Sequence, residues 1–303
     1  MKQTMINVTE SAVNLCLNHL IFADSSTELY NYYLDSVNNI SSEGFPKPNR
    51  LYAGAEFCDK IFKHIRHTKF FDHLTHLNQY VEHVSFVIPP MHESTMEYFT
   101  GIMDVIEQCT FVDELVFNDF GIMRYLHQYY PQYTLVAGRL MDKGMREARF
   151  VIYSDLEKAH NNRKILQSTN LDAPFYRSLF KQYGVDRIEL DTLNGGKLLL
   201  NMESGMNYTV HYPRIFLSRS DYCEFSGVGK KLSEKFRIQG SCTRMCGSVW
   251  EELCDPSESG IYKIGNAAFT TQKEKLIRCV NGTFRLVYSQ GEKNESRCSN
   301  SFF

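Results

Sequence analysis

The chain has 303 residues, 43% of them hydrophobic and 22% charged, a composition that excludes disorder and collagen-like repeats and suffices for one large core or two medium ones. Its 33 Lys and Arg against 35 Asp and Glu give a formal net charge of −2, so no global basic field drives binding to nucleic acid or to a membrane surface. Nine cysteines is an odd number, and a full set of disulfides would leave one thiol over.

The N-terminal stretch MKQTMINVTESAVN has neither an apolar segment nor a small-residue cleavage site, so no secretory signal is expected. No run approaches the ~18 apolar residues of a spanning helix, so no membrane span is expected. The expected compartment is the cytoplasm, where thiols stay reduced. Its cysteines are then core residues, reactive thiols or metal ligands.

Residues 1–50 read as a helical region followed by a loop, 36–50, broken by Gly44, Pro46 and Pro48. From residue 51 strands and helices alternate. Leu51–Ala55 is a short strand and 67–80 a helix. Val84–Ile88 is a compact apolar strand stopped by Pro89 and Pro90, and 93–109 has helical spacing. Glu114–Phe117 and Thr134–Ala137 are strands on either side of a helix over Gly121–Tyr130. Phe175–Tyr183 is a helix ended by Gly184, and strand Asp186–Leu190 follows at once. Leu198–Asn201, Tyr208–Tyr212, 261–270 and 284–288 complete the strands, and 291–303 is a polar tail.

Short strands alternating with helices place the chain in the α/β class with parallel βαβ units. The expected architecture is a TIM-barrel-like (β/α) barrel over 51–290 with a C-terminal cysteine-rich extension; an open doubly wound sheet is the alternative. In a barrel, functional residues lie just past the strand C-termini. Neither GxGxxG nor GxxxxGK[ST] occurs, so no common nucleotide-binding fingerprint is present.

Cys242 and Cys246 form a C-x3-C pair in polar sequence, with Cys223 upstream. Converging thiolates select zinc or the iron of an iron–sulfur cluster. Local spacing leaves the fourth ligand open between Cys254 nearby and Cys58, which follows the first strand. Cys16 and Cys109 read as core residues on helical faces. Asn118 and Asp119 are either pocket groups or helix caps. Arg139 can grip a carboxylate or phosphate, and Glu56 is either a pocket carboxylate or a buried ion-pair partner. His211 ends a strand near Cys223. Six histidines between 64 and 92 fit a solvated helix surface better than a second metal site, and Tyr125, Tyr129, Tyr130 and Tyr133 read as packing rather than as a base-stacking surface.

Several segments taken in order resemble one family. They are Tyr52–Cys58 (YAGAEFC), Leu115–Gly121 (LVFNDFG), Leu135–Arg139 (LVAGR), Tyr212-Pro213-Arg214 through Cys223, and Gly265-Asn266 with Thr270-Thr271. Over roughly residues 50–290 they are similar to the collagenase-like peptidase family of unassigned catalytic type, and within it to the UbiU/UbiV group, as a UbiV-like member. The resemblance implies a TIM-barrel-like fold and a 4Fe–4S cluster held by Cys58, Cys223, Cys242 and Cys246. It also implies pairing with a UbiU-like protein partner and a role in oxygen-independent hydroxylation of a small-molecule substrate, as in ubiquinone biosynthesis. Zinc is the alternative cofactor. Peptidase activity and a non-enzymatic scaffold stapled by zinc or a cluster are the alternative functions. No Ser-His-Asp order, HExxH or catalytic-Cys motif marks a peptidase, and no residue is assigned a catalytic role.

Overall fold

The computed structural model describes residues 7–16, 23, 25–65, 69–144, 167–192, 198–236, 242, 261–272, 275–276 and 280–289. Its strands in chain order are β1 (Asn7–Asn14), β2 (Arg50–Gly54), β3 (His83–Ile88), β4 (Val112–Phe117), β5 (Thr134–Ala137), β6 (Val185–Asp191) and β7 (Leu198–Leu199). They continue with β8 (Asn207–Tyr212), β9 (Arg214–Arg219), β10 (Ile261–Ile264), β11 (Ala267–Thr271), β12 (Val280–Asn281) and β13 (Thr283–Tyr288). The helices are α1 (Ser26–Ser42), α2 (Phe62–Ile65), α3 (Phe70–Leu77), α4 (Met96–Ile106), α5 (Phe120–Tyr129), α6 (Pro174–Gln182), α7 (Glu224–Gly227) and α8 (Leu232–Lys235).

Eight strands close into a parallel barrel in the order β1-β13-β8-β6-β5-β4-β3-β2. Closure excludes the open doubly wound alternative. Alternate residues along each strand explain how it holds together. One set, including Leu51, Phe86, Leu115, Ile188, Val210 and Leu286, faces outward into one large core shared with the helices. The other set, Ala12, Tyr52, Val87, Val116, Val136 and Val287, forms a separate cluster. Helix α1 shows the matching helical pattern. Ser25 Oγ accepts from Glu28 N at 3.2 Å as its N-cap, and Leu29, Tyr33, Ser36 and Ile40 are buried at helical spacing.

Besides the loop expected over 36–50, whose first part to Ser42 is the end of α1, two sequence expectations change. Residues 1–50 are not a separate helical region, because β1 lies within them and pairs with both β2 and β13. Its sequence, NVTESAVN, carries Glu10 and Ser11 and so lacks the apolar run of the other barrel strands. The physical reason lies at the N-terminal end of the barrel, where Glu10 meets two arginines: Arg50 Nε donates to Glu10 Oε1 at 3.0 Å and Arg285 Nε to Glu10 Oε2 at 2.6 Å. Arg285 also grips both oxygens of Glu114 at 2.7 and 2.9 Å. Arg50 forks onto Asp113 at 2.7 and 2.8 Å.

The second change concerns the cysteine-rich stretch. Because β13 is the closing barrel strand, residues 213–282 form an insertion between β8 and β13 rather than a C-terminal extension. The insertion contains an antiparallel three-stranded sheet, β10-β11-β9. Residues 261–270 are a hairpin rather than one strand, since Gly265 at φ 61° turns the chain. Cys246, Cys254, Cys279 and Cys298 lie outside the described residues, as does the tail 291–303. Among the described residues no helix is long and apolar enough to cross a membrane.

Candidate functional site

The C-terminal rim of the barrel collects most of the residues singled out from sequence. Cys58 stands four residues past β2. The carbonyl of its neighbour Phe57 accepts two hydrogen bonds from the insertion, from Arg219 Nε at 2.7 Å and Asn266 Nδ2 at 3.1 Å. Asn266 Nδ2 also donates to Ser220 O at 2.8 Å, and Ser220 N donates back to Asn266 O at 2.8 Å. The Phe57 ring stacks on Phe216 with centroids 4.7 Å apart. The turn at Asn266 and the end of β9 thus fasten the insertion to the residue before Cys58, and Cys223 lies four residues beyond β9.

Cys58 keeps some exposure as a residue, yet its thiol is pushed up to about 12, first by burial and then by Cys242, Asp59 and Cys223. Cys223 and Cys242 therefore sit within electrostatic range of Cys58, although 165 and 184 positions respectively separate them from it in sequence. A bound cation would reverse that balance at Cys58 by neutralising its thiolate. The donor set suits a thiophilic metal. Among the described residues no three His, Cys, Asp or Glu side chains stand close enough to hold a metal ion as they are, and Cys246 lies outside those residues.

Arg139 is 1% exposed. Its guanidinium is not available to a substrate anion in the way its sequence context suggests, because protein carboxylates take it up. Nη2 donates to Glu56 Oε2 and Nη1 to Asp191 Oδ1, both at 2.8 Å. It also stands over the Phe57 and Phe269 rings at 5.1 and 5.8 Å. Burial opposes its charge, but Glu56 and Asp191 outweigh that and raise its pKa. Glu56 is therefore a buried ion-pair partner, the second of its two expected roles.

Asn118 and Asp119 are braces. Asn118 Nδ2 donates to Ile88 O at 3.0 Å and its Oδ1 accepts from Leu140 N at 3.1 Å, tying the ends of β3 and β4 to the segment after β5. Gly138 leaves room for it, since a Cβ there would collide with the Asn118 amide. Asp119 caps α5, its Oδ1 accepting from Ile122 N at 2.8 Å, and its Oδ2 accepts from Met91 N at 3.1 Å. His211 is wholly buried, with Nε2 3.1 Å from Glu189 Oε2.

Among the described residues the histidines of 64–92 form no group of three or more potential metal ligands. His92 Nδ1 lies 2.8 Å from Asp59 Oδ2, His83 Nδ1 lies 3.1 Å from Asp113 Oδ2, and His76 packs on Tyr80; His67 is outside the described residues. Tyr125 packs against Phe99, Tyr129 and Tyr130. Cys16 follows a strand rather than lying on a helix, and it is buried beside the barrel-interior valines. Cys109 is half-buried just after α4, its Sγ donating to Val105 O at 3.4 Å.

Sequence reading missed Glu189 and Asp191. Their signal is the DRIEL-Asp run, in which two acids two residues apart on a buried strand face the same way. An open cleft of about 1010 Å³, lined among others by Tyr133, Arg177, Lys181 and Met206, lies at the opposite, N-terminal end of β5, β6 and β8. Of the residues singled out from sequence as candidate site groups or metal ligands it holds none, and Tyr133 of the tyrosine cluster lies on its wall. No family model matches the chain, and neither a curated protein nor a solved structure matches it.

Proposed function

We propose that the chain is an iron–sulfur protein of an oxygen-independent hydroxylation system, with Cys58, Cys223, Cys242 and Cys246 holding a 4Fe–4S cluster. The observation that supports this reading is that Cys223 and Cys242 lie within electrostatic range of Cys58 at the C-terminal rim of a parallel barrel, where barrel proteins carry their chemistry. The family resemblance adds a UbiU-like partner and a quinone precursor as the small-molecule substrate. When bound, such a cluster would supply one-electron redox capacity or a Lewis-acidic iron.

The chain's own contributions follow from its contacts. Arg219 and Asn266 hold the Phe57 carbonyl and so fix the backbone on which Cys58 is carried. The Phe57 ring stacked on Phe216, with Phe269 edge-on to both, excludes water from that side. Asp59 is pinned by Thr95 Oγ1 and His92 Nδ1, both at 2.8 Å, which fixes the turn following Cys58.

Three ligands from the insertion and one from the barrel would also let a metal staple one part to the other, which supports a second reading as a structural zinc site. Metal analysis with absorption spectroscopy on anaerobically purified protein separates the two. A brown protein absorbing near ~400 nm, with iron and sulfide, is the expected result. Cys58→Ala should lose iron as severely as Cys242→Ala. A colourless protein with one zinc overturns the cluster, and iron content unchanged in Cys58→Ala removes Cys58 from the ligand set.

A further inference from the structure

A second group of reactive side chains lies inside the C-terminal end of the barrel, apart from the cysteines. Glu189 and Asp191 share the inward face of β6. His211 on the neighbouring β8 stands level with Asp191 in the strand register, and Glu56 arrives from the segment after β2. Their residues are 0–4% exposed.

Each carboxylate is used by halves. Glu56 Oε2 accepts from Arg139. Asp191 Oδ1 accepts from Arg139 and, at 3.0 Å, from Phe216 N. Glu189 Oε2 meets His211 Nε2. The remaining oxygens, Glu56 Oε1, Glu189 Oε1 and Asp191 Oδ2, have no hydrogen-bond partner among the described residues, and neither has His211 Nδ1. An unpaired buried carboxylate oxygen is among the least favourable placements in a folded protein. Packing gives no reason for three of them on residues that share one end of the barrel interior with His211. His211 Nδ1 and Glu56 Oε1 are 3.9 Å apart. That is too far for a direct hydrogen bond, yet it suits two atoms bonded to one small group set between them.

We propose that Glu56, Glu189, Asp191 and His211 form a binding site for a small primary amine, whose ammonium group lodges between His211 Nδ1 and Glu56 Oε1. The unused atoms are carboxylate oxygens and an imidazole nitrogen, and an ammonium offers three donors and no acceptor. The bond from Glu189 at Nε2 decides which imidazole nitrogen faces the ligand. Arg139 keeps the two outer carboxylates in place, with its charge committed to them. A ligand carboxylate or phosphate would meet acceptor oxygens and be repelled. Tyr52 closes one flank, its ring edge-on to His211 at 6.0 Å. The site does not depend on what the cysteines bind.

The test uses the purified full chain and methylammonium chloride, with potassium chloride, sodium acetate and methanol as controls at matched ionic strength. Methylammonium should raise the Tm saturably by about 2–4 °C, and Glu189→Gln, which puts a donor where an acceptor stood, should abolish the rise. Absence of a saturable rise, an equal rise with any control, or a rise that survives Glu189→Gln overturns the site. If Glu189→Gln does not fold, the readout is the His211 imidazole nitrogen resonances of the unsubstituted protein, assigned with His211→Gln. These should shift on adding methylammonium, and unmoved resonances overturn the site. Cys242→Ala should keep the methylammonium response while losing metal, so failure of this site and failure of the cluster are told apart.

Discussion

Glu114 illustrates how a buried acid becomes a source of stability. Burial alone would raise its pKa, but the paired hydrogen bonds and charge of Arg285, the charge of Arg50 and the Ser85 hydroxyl outweigh burial and bring it to about 2 from an ordinary 4.5. A folded-state value below the unfolded one means the stabilisation is complete above about pH 4.5 and is lost as pH falls toward 2. Its size is about 3 kcal/mol by the usual conversion of pKa shift to free energy. Urea midpoints measured from pH 5 to pH 2 should fall steeply, and Glu114→Gln should flatten that slope. A slope unchanged in Glu114→Gln would assign acid sensitivity to other groups. The same principle governs Arg139, whose charge survives at 1% exposure because Glu56 and Asp191 surround it. Residue type made Arg139 look like a substrate anchor, and its partners, 83 and 52 positions away in the chain, make it a scaffold. No sequence period links such positions.

At the scale of elements, compact apolar strands were legible because both faces of a barrel strand are buried. Val84–Ile88 and Thr134–Ala137 are read from sequence almost as they stand. Strand β1 was not legible, because its Glu10 faces arginines rather than valines. The end of β2 adds a constraint of its own. Gly54 has φ 118°, and a Cβ there would run into the Val87 carbonyl on the adjacent strand. Gly54→Ala should therefore destabilise the fold by at least about 2 kcal/mol in urea unfolding. Gly44 also has positive φ but open space around it, so Gly44→Ala should cost about 1 kcal/mol or less. Equal costs at the two positions would show that the close approach of β2 and β3 contributes nothing.

At the scale of the whole molecule, the barrel is closed by strands from the two ends of the sequence, since β1 pairs with β13 over six register positions. Removing residues 283–288 would leave β1 and β8 with open hydrogen-bonding edges and unseat Phe284 and Leu286 from the core. The truncated chain should lose its cooperative unfolding transition and elute as aggregates in gel filtration. A monomer with a normal transition would show that the barrel tolerates an open seam.

The sequence alone determined the α/β alternation and the strands with two buried faces, because these rest on local periodicity. Only the tertiary structure decided that the chain closes into an eight-stranded ring starting at β1. It also decided that the insertion is fastened to Phe57, that Arg139 serves Glu56 and Asp191, and that Glu189 faces His211. Those facts depend on which residues meet across tens to hundreds of positions, and such meetings are set by strand register and barrel closure rather than by any pattern along the chain.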